Sequence, residues 1–456
     1  MKDRENSFPK DRKLKMMKYF GTDGIRGHYG GDIINPHFAY LLGIALGKYL
    51  QEKIELRRPS VLIGRDPRKS GESLIDGLVS GLTKIGIDSL DAGIVPTPSL
   101  AFGIRHLKMD MGIMLTASHN PHTDNGIKLF SAAGEKLKIE EEIGIEGLID
   151  LMQESQINET NIQKVEITEA YLQNLSQYFE PEFLKGQRIV LDLANGATRE
   201  TSVEAFRMFG AEVIAKNSGS GIINHGVGSE HPEEISKAVL DNNAIFGFAH
   251  DGDGDRIIAC DQNGIILNGD KALGILAYFA KKQGNLRQDS FVATIHSNSG
   301  LEKFLQSIGV KLHRSDVGDR NVKLMMDEVG SNWGGESSGH VLATDYLPTG
   351  DGLYTGLFLA QQILQSNQDI ESLQRKIPLW PSQSGAFRVA KKTPINEITS
   401  LQQGLESCEK TLGDSGRILM RYSGTEPKIR LLVEAIDERK AKEIFNILAN
   451  IIQKTL

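Results

Sequence analysis

One pattern recurs three times along this chain and restricts its fold more than any other feature. Each copy reads as an apolar strand, a turn, an amphipathic helix, a glycine and a second strand, and the copies begin at 61-VLIGRD-66, 189-IVLDLANGA-197 and 291-FVATIHS-297. A glycine after a helix is typical of a left-handed residue that ends it. Strand–helix–strand units build parallel sheets covered by helices. The sequence therefore predicts three similar α/β domains.

The C-terminal part of the chain breaks this pattern. It reads as a strand at 384-SGAFRVA-390, a helix over 394–412, strands at 417-RILMRY-422 and 428-KIRLLVEAI-436, and a final helix. Antiparallel strands flanked by helices predict a smaller α+β domain. The predicted division is a flexible N-terminal extension over 1–18, α/β domains over 19–165, 166–267 and 268–378, and a C-terminal domain over 379–456.

Composition narrows the partners and the cellular setting. With 456 residues, 39% hydrophobic and 24% charged, the chain suits a soluble globular protein with several cores. A net charge of −7 does not predict a nucleic-acid surface, and no apolar run approaches the ~20 residues of a membrane helix. Two distant cysteines, Cys260 and Cys408, match no metal or redox spacing. We expect a cytoplasmic protein without nucleic-acid or membrane partners.

The strongest signal for chemistry is a cluster of three carboxylates in 251-DGDGDR-256. Alternate side chains of a strand share a face, and glycines let a turn wrap closely around an ion. Clustered carboxylates repel one another unless a cation lies between them, and oxygen ligands favour Mg²⁺. A calcium EF-hand loop is excluded because its sixth and twelfth positions require glycine and glutamate, where this chain has Arg256 and Gln262. The loop is therefore predicted to bind Mg²⁺ through Asp251, Asp253 and Asp255, the alternative being a solvated acidic turn.

A second loop places reactive side chains at the end of a predicted strand. In 115-LTASHNPHTDNGIKLF-130, Ser118 and His119 follow an apolar run, Pro121 stops it, and Lys128 comes a few residues later. The serine lacks the GxSxG elbow of an acyl-transfer nucleophile, whereas Mg²⁺ supports phosphoryl transfer. We expect Ser118 to lie exposed and to carry a phosphoryl group on the cation, the alternative being a capped turn. His119 is a candidate base or loop-ordering residue, and Lys128 a candidate proton shuttle or charge stabiliser.

Two further loops supply donors for phosphate and sugar groups. In 421-RYSGTEPKIR-430, Gly424 lets backbone N–H groups join charged and hydroxyl donors, so the loop resembles a phosphate cradle. Its side-chain donors are Arg421, Ser423, Thr425 and Arg430. The stretch 334-GGESSGH-340, interpreted as extended, could present Glu336 and Ser338 to sugar hydroxyls, and His340 could move a proton or bind phosphate. Glycine-rich turns without function are the alternative for both loops.

Nucleotide-binding motifs are absent from the sequence. It contains neither GxxxxGK[ST] nor a GxGxxG after a predicted strand. Both motifs hold nucleotide phosphates on backbone N–H groups, so a nucleotide-dependent kinase or dehydrogenase is disfavoured.

The four loops, in this order, are similar to the motifs of the α-D-phosphohexomutase superfamily. The resemblance runs from 19-YFGTDGIRG-27 to the C-terminus and rests on the serine loop, DGDGDR, GE-x-SGH and RxSGTEP. It implies three similar α/β domains and a smaller C-terminal domain around a central cleft. The motifs YFGTDGIRG, NGIK, VGDR (317–320) and SGTEP are most similar to the branch that acts on glucosamine phosphates. Ser337 departs from that branch, which more often has Gln or Asn there.

The resemblance implies an intramolecular phosphotransferase that interconverts glucosamine 6-phosphate and glucosamine 1-phosphate. Phosphorylated Ser118 would donate its phosphoryl group, and the resulting 1,6-bisphosphate would turn around before a phosphate returns to the serine. Mg²⁺ would lie between phospho-Ser118 and the three aspartates, hexose 1,6-bisphosphate is the implied activator, and a homodimer is the implied assembly. The loop 421–430 would hold the phosphate that is not reacting. The catalytic residues implied beside Ser118 are Lys128, His119, Arg26, Arg256 and His340. The implied substrate-binding residues are Glu336, Ser338, His340 and Arg320.

Two alternatives remain open on the sequence. Ser337 keeps open a phosphomannomutase or phosphoglucomutase with the same machinery. A metal-dependent phosphatase or an inactive sugar-phosphate-binding protein belongs to another class. The distal phosphate cradle counts against simple hydrolysis because closure over a second phosphate would exclude water. An inactive binder would be expected to lack Ser118 or one of the aspartates, and all are present.

Overall fold

The computed structural model describes residues 17–151, 162–423 and 427–456. These residues form four β-sheets of six, four, four and three strands, and we number the domains that contain them I to IV in chain order. Most of the extension predicted over 1–18 lies outside the described residues. Its last residue, Lys18, is held by Glu146, whose Oε2 accepts the backbone N–H at 3.0 Å. Within the described ranges, no helix is long and apolar enough to cross a membrane.

Domain I contains the six-stranded sheet, whose strand order is β1-β5-β4-β2-β3-β6. The strands are β1 (Ile25–His28), β2 (Ser60–Arg65), β3 (Asp88–Ile94), β4 (Met111–Leu115), β5 (Asp124–Ser131) and β6 (Gln163–Lys164). The helices are α1 (Pro36–Lys53), α2 (Gly71–Lys84), α3 (Thr97–His106) and α4 (Ile139–Ile149). The side chain of Asn35 caps α1 and Pro36 occupies its first turn, which is where a helix tolerates proline. Apolar clusters cover both faces of the sheet, as expected for parallel strands.

Domains II and III each contain a four-stranded sheet. Domain II comprises α5 (Thr168–Ser176), β7 (Arg188–Asp192), α6 (Thr201–Met208), β8 (Glu212–Lys216), α7 (Glu233–Asp241), β9 (Phe246–His250) and β10 (Ile257–Asp261). Domain III comprises α8 (Gly269–Lys282), β11 (Ser290–Thr294), α9 (Ser299–Ser307), β12 (Lys311–Ser315), α10 (Asp319–Val329), β13 (Trp333–Gly335), β14 (Val341–Ala343), α11 (Gly352–Ser366) and α12 (Ile370–Arg375).

The three predicted βαβ units are confirmed, and they occupy equivalent places in domains I, II and III. They are β2-α2-β3, β7-α6-β8 and β11-α9-β12, and the two strands of each unit pair in parallel. Next to each unit, a further parallel strand turns back into an antiparallel partner, which gives the hairpins β4–β5, β9–β10 and β13–β14. The turns of these hairpins contain the serine loop, the carboxylate loop and the stretch 336–340. Each turn follows the carboxyl end of a parallel strand, where open α/β sheets bind ligands.

Domain IV confirms the predicted α+β module. It comprises β15 (Ser382–Arg388), α13 (Thr399–Leu412), β16 (Gly416–Tyr422), β17 (Lys428–Ala435) and α14 (Glu438–Thr455). All three strands join one antiparallel sheet in the order β15-β17-β16. Its two helices enclose a separate apolar core, and the loop 421–430 connects the two strands that pair at one side of this sheet.

Candidate active site and metal centre

Ser118 lies in the turn after β4 and is almost completely buried, with 1% of its surface exposed. The expectation that it would lie exposed at a strand end is therefore wrong, because its hydroxyl faces the carboxylate loop of domain II. Its Oγ donates to Asp251 Oδ2 at 2.6 Å and lies 3.3 Å from His119 Nδ1. The backbone φ of Ser118 is +52°, a left-handed conformation that L-residues rarely adopt. The local fold thus turns the serine toward the next domain at a cost in backbone strain.

The carboxylates of Asp251, Asp253 and Asp255 come together in the turn between β9 and β10, and their ligand oxygens lie within 4.8 Å of one another. The interpretation that they alternate along a strand is wrong. The segment is a turn in which Gly254 has a φ of +74°, and the backbone N–H groups of Gly254 and Arg256 donate to Asp251 Oδ1 at 3.1 and 3.3 Å. The turn therefore brings the three carboxylates to one place, whereas an extended strand would hold the same side chains on one face but about 6.6 Å apart along it.

These residues fit a hard divalent cation. Asp253 Oδ1 and Asp255 Oδ1 are buried and have no hydrogen-bond partner among the described residues. Burial raises the pKa of Asp251 well above its usual value, and the neighbouring charges of Asp255 and Asp253 raise it further. Three buried carboxylates in one cluster are costly unless cations neutralise them, and oxygen ligands of this kind favour Mg²⁺.

Lys128 projects from β5 into the same carboxylate cluster. Its ammonium lies 2.8 Å from Asp253 Oδ2, 3.0 Å from Asp255 Oδ2 and 3.4 Å from Asp23 Oδ2. Burial alone would lower the pKa of Lys128, but attraction to Asp23, Asp253 and Asp255 raises it well above the usual value. Between the two roles considered for this lysine, the geometry favours the charge stabiliser.

Six buried or half-buried charged side chains form a closed ring across domains I, II and III. His340 connects two of its acids, with Nδ1 3.5 Å from Asp255 Oδ1 and Nε2 3.5 Å from Asp319 Oδ2. Lys136 pairs with Asp319 and with Asp23, and Lys128 joins Asp23 to Asp255. In order around the ring the members are Asp23, Lys136, Asp319, His340, Asp255 and Lys128. Because acids and bases alternate, the ring ties the three domains together beside the carboxylate cluster.

Sequence reasoning missed three members of this ring and one further contact. Asp23 lies inside YFGTDGIRG and Asp319 inside VGDR, so both stood in quoted motifs without an assigned role. Lys136 and Thr97 had no local signal, because their partners are distant along the chain. Thr97 Oγ1 donates to Asp253 Oδ2 at 2.7 Å.

His119 follows Ser118 in the serine loop, and Arg26 and Arg256 lie close enough to His119 to act on its charge. Burial, together with repulsion from Arg256 and Arg26, lowers the pKa of His119 to about 4, so its imidazole is neutral near neutral pH. The Arg26 guanidinium is held by Asp23 and lies 3.5 Å from Asn120 Oδ1. Arg256 Nη1 lies 3.5 Å from Glu230 Oε1.

The stretch 336–340 is a tight turn between β13 and β14, so its interpretation as extended is wrong. Gly339 has a φ of +87°, and its N–H donates to Glu336 O at 3.1 Å. Glu336 Oε1 accepts the N–H of Gly318 at 2.9 Å, and Ser338 is half-buried in the turn. The N–H of Ile257 donates to Gly339 O at 3.1 Å, which joins this turn directly to the carboxylate loop.

Arg320 lies at the interface between domains I and III. Its Nη1 donates to Glu142 Oε2 at 2.6 Å, and its Nη2 donates to Glu142 Oε1 at 2.5 Å. The side chains are 9% and 1% exposed. This two-point pair occupies the groups through which Arg320 is predicted to bind substrate.

The described part of the loop 421–430 faces domain III. Arg421 and Arg430 are directly opposite each other on β16 and β17, and Arg421 Nη2 donates to His296 Nε2 at 2.8 Å. Burial and the charge of Arg421 lower the pKa of His296, which suits the ring as an acceptor. Ser423 is buried, and its carbonyl accepts from Lys392 Nζ at 2.6 Å. Gly424 and Thr425 lie outside the described residues.

Comparison with known proteins identifies relatives along almost the whole chain. Models described as phosphoglucomutase/phosphomannomutase match in four parts: alpha/beta/alpha domain I at 17–156, domain II at 169–264, domain III at 268–379 and the C-terminal domain at 386–451. A phosphoglucosamine mutase of Nautilia profundicola is 41% identical over 94% of this chain and 97% of its own length. One of Lysinibacillus sphaericus is 37% identical over 96% and 98%.

Solved structures show the same fold at lower identity. A putative phosphomannomutase of Thermus thermophilus superposes with a TM-score of 0.78 at 23% identity, covering 95% of this chain and 98% of that one. An N-acetylphosphoglucosamine mutase of Aspergillus fumigatus, solved with GlcNAc-6P and magnesium, has a TM-score of 0.66 at 16% identity, covering 97% of each chain.

Proposed function

The chain belongs to the phosphoglucomutase/phosphomannomutase family, and from this premise we propose that it interconverts glucosamine 6-phosphate and glucosamine 1-phosphate. The observation that carries the proposal is the buried contact of 2.6 Å between Ser118 Oγ and Asp251, because the hydroxyl predicted to carry the phosphoryl group lies beside the cluster predicted to bind the metal. Curated relatives named phosphoglucosamine mutase, at 37–41% identity over nearly the full chain, support the amino sugar.

The reaction proceeds through phosphorylated Ser118. A sugar hydroxyl attacks the phosphorus, the bond from phosphorus to Ser118 Oγ breaks, and a 1,6-bisphosphate forms. After the bisphosphate turns around, Ser118 Oγ attacks its other phosphorus and the isomeric monophosphate leaves. Asp251, Asp253 and Asp255, together with the phosphoserine, would hold Mg²⁺, and the ion would supply charge neutralisation at the phosphoryl group.

The chain's own side chains manage protons and charge. Neutral His119, 3.3 Å from Ser118 Oγ, is placed to exchange the proton of a reacting hydroxyl. Lys128, Arg26 and Arg256 stabilise negative charge around the phosphoserine, and His340 contributes from the sugar side.

Substrate recognition is divided between two domains. Glu336 and Ser338 bind sugar hydroxyls, and the loop 421–430 holds the phosphate that is not reacting. Arg320 contributes to substrate binding when its pair with Glu142 opens. A hexose 1,6-bisphosphate activator, a homodimer and a cytoplasmic setting complete the proposal.

A second candidate is a mutase for mannose or glucose phosphates. Ser337 supports it, since this position lies exposed in the turn beside Glu336 and Ser338. The machinery around Ser118 would be the same, so only the sugar distinguishes the two.

The deciding experiment compares kcat/KM for glucosamine 1-phosphate, glucose 1-phosphate and mannose 1-phosphate, with Mg²⁺ and a trace of hexose 1,6-bisphosphate. We expect at least a hundredfold preference for the amino sugar, which corresponds to about 2.7 kcal/mol in the transition state. Comparable rates on glucose or mannose would select the second candidate. Phosphate release without isomerisation would contradict both.

A further inference from the structure

Arg68 is a buried arginine that the mechanism above does not use. It lies in the loop after β2, and its side chain is 0% exposed. Nε donates to Asp66 Oδ2 at 2.9 Å. Nη1 donates to the carbonyls of Asp124 at 2.9 Å and Pro121, and Nη2 donates to those of Ser118 at 3.0 Å and Asn120 at 2.8 Å. A guanidinium has five N–H groups, and all five are used. Four of them go to backbone carbonyls of the serine loop, which is therefore wrapped around this one side chain.

Asp66 extends this hydrogen-bond network to the N-terminal side of Ser118. Its Oδ1 accepts the backbone N–H of Arg68 at 3.0 Å, and its Oδ2 accepts the hydroxyl of Thr116 at 2.6 Å. Thr116 Oγ1 in turn accepts the backbone N–H of Ser118 at 2.9 Å. The N–H of the serine is thus fixed through Thr116 and Asp66, and its carbonyl through Arg68.

Domain II completes the arrangement. Asn224 Nδ2 donates to Ser118 O at 2.6 Å, so this carbonyl accepts two hydrogen bonds, one from each domain. With both backbone groups of Ser118 saturated, the left-handed φ of +52° is held in place. That backbone conformation sets the direction of the Cα–Cβ bond toward the carboxylate loop, from where Oγ reaches Asp251 Oδ2 at 2.6 Å.

We infer that Arg68, braced by Asp66, is the positioning residue that holds Ser118 and its phosphoryl group on the metal-binding cluster. The inference rests on the proposed phosphoserine mechanism. Arg68 contacts the serine loop and not the sugar, so it acts on the chemical step. A reacting group misplaced by about 1 Å loses on the order of a hundredfold in rate.

The test is Arg68→Lys in the full-length enzyme, assayed beside the wild type. Lysine keeps the charge but offers three N–H groups from a single atom, which cannot reach four carbonyls and a carboxylate. We expect kcat to fall about a hundredfold while KM changes less than about threefold, since ground-state contacts to the sugar are unaffected. Arg65→Lys is the matched control. Arg65 is the last residue of β2, and it pairs with exposed Glu72 at 3.3 Å and not with the serine loop. The kcat of the Arg65→Lys enzyme should therefore stay within about twofold of the wild type.

Chemical rescue separates positioning from folding and from charge. In Arg68→Ala, added guanidinium should restore much of the lost kcat, whereas ammonium at the same concentration should not, because only guanidinium reproduces the planar set of donors. If the Arg68 variants do not fold, Thr116→Val tests the same hydrogen-bond network, at its contact with the N–H of Ser118, with a nearly isosteric change. It removes the hydroxyl that fixes the serine N–H, so kcat should again fall with KM unchanged.

The remaining outcomes distinguish a failure of the positioning role of Arg68 from a failure of the proposed mutase function. An Arg68→Lys enzyme with wild-type kcat, or one whose loss is entirely in KM, overturns the positioning role while the mutase function stands. A wild type that isomerises none of the three sugar phosphates overturns the proposed function. In that case the rate at which glucose 1,6-bisphosphate phosphorylates Ser118, followed by intact mass, still measures the effect of Arg68. Equal loading rates in the wild type and in Arg68→Lys would then reject the inference.

Discussion

Domains II and III are joined differently from domains III and IV. Residues of II and III belong to one continuous apolar cluster, which includes Phe206 and Phe248 of domain II and Phe291 and Leu357 of domain III. Domain IV has its own core, and its joint to domain III contains buried polar contacts. Across this interface Glu434 Oε2 accepts from Ser299 N at 3.0 Å and from Ser299 Oγ at 2.7 Å, and within domain IV it accepts from Arg417 Nε at 2.8 Å.

The difference matches the two tasks of the proposed mutase. The carboxylate cluster and the turn 336–340, which we call the reaction end, are attached to one shared apolar core, so we expect the distances between them to vary little. At the other end, the predicted phosphate cradle lies on a domain held by directional bonds that water can replace. In the proposed reaction, the 1,6-bisphosphate must dissociate from the loop 421–430 and bind again in the opposite orientation. We therefore expect the reaction end to be rigid, and domain IV, which carries the loop 421–430 and which we call the cradle end, to separate from domain III more readily.

The largest effect is expected at the reaction end, from Ser118→Ala. Without Oγ there is no phosphoserine, so turnover should fall more than about a thousandfold, as for other covalent catalysts. Sugar-phosphate binding, measured by calorimetry with glucosamine 6-phosphate, should remain largely intact because the cradle is unchanged. Ser131→Ala, at the end of β5, is the control. Near-normal turnover in the Ser118 variant would refute the covalent mechanism.

A pair of variants tests the two joints directly. Leu357→Ala removes a completely buried side chain from the shared core and should lower the free energy of unfolding of domains II and III by about 2–5 kcal/mol. Glu434→Gln keeps the shape of its side chain but loses the charge, and should weaken the attachment of domain IV by about 1–3 kcal/mol.

Hydrogen exchange followed by mass spectrometry distinguishes the two changes. In Glu434→Gln, the increase in amide hydrogen exchange over the wild type should be confined to domain IV and to residues 296–300. In Leu357→Ala, it should spread through α11 and β9 together. Added exchange throughout domains II and III in the Glu434 variant would show that the two joints are not independent.

The sequence predicted the repeated units well and the site unevenly. The strands and helices of the βαβ units follow local periodicity, so 61–66, 189–193 and 291–294 were recognised without knowledge of their neighbours. The burial of Ser118 was not predicted, because it depends on domain II covering the serine loop. The partners of Lys136 and the serine-loop carbonyls that Arg68 binds are likewise distant along the chain, and single-sequence patterns carry no signal for such contacts. The turns that contain Gly254 and Gly339 resemble extended segments in the sequence, because residues two apart also share a face in a strand.

The pH dependence of the free energy of unfolding tests the shared core of domains II and III, because Asp351 is buried there. Asp351 caps α11 and accepts the hydroxyl of Tyr171 at 2.7 Å, and burial raises its pKa to about 6 from 3.8. Between pH 4 and 6 the folded protein therefore holds a proton that the unfolded chain has lost. This group's contribution to stability falls as the pH rises through that window and stays constant above it.

Asp351→Asn keeps the cap and removes this titration. The free energy of unfolding of the variant, relative to that of the wild type, should rise by up to about 3 kcal/mol from pH 4 to pH 7. It is measured by urea unfolding at both pH values. Asp369→Asn, at the exposed cap of α12, is the matched control. The pKa of Asp369 is lowered below 3.8 by its hydrogen bond from Ser372 N, so its titration lies below pH 4 and Asp369→Asn should change the stability almost equally at pH 4 and pH 7. A pH-independent difference for Asp351→Asn would show that this carboxylate is solvated.

The smallest effect is expected at the cradle, from Arg421→Met. Removing one charged donor from a phosphate site costs about 1.4–2 kcal/mol, so KM should rise about tenfold to thirtyfold. The loss should fall mainly on KM because the cradle holds the distal phosphate equally before and during phosphoryl transfer. A weaker cradle should also release more of the 1,6-bisphosphate, which can be trapped and quantified. Arg439→Met, on the exposed side of α14, is the control. A fall in kcat with unchanged KM would place Arg421 at the reaction end and remove the division of labour between the two ends.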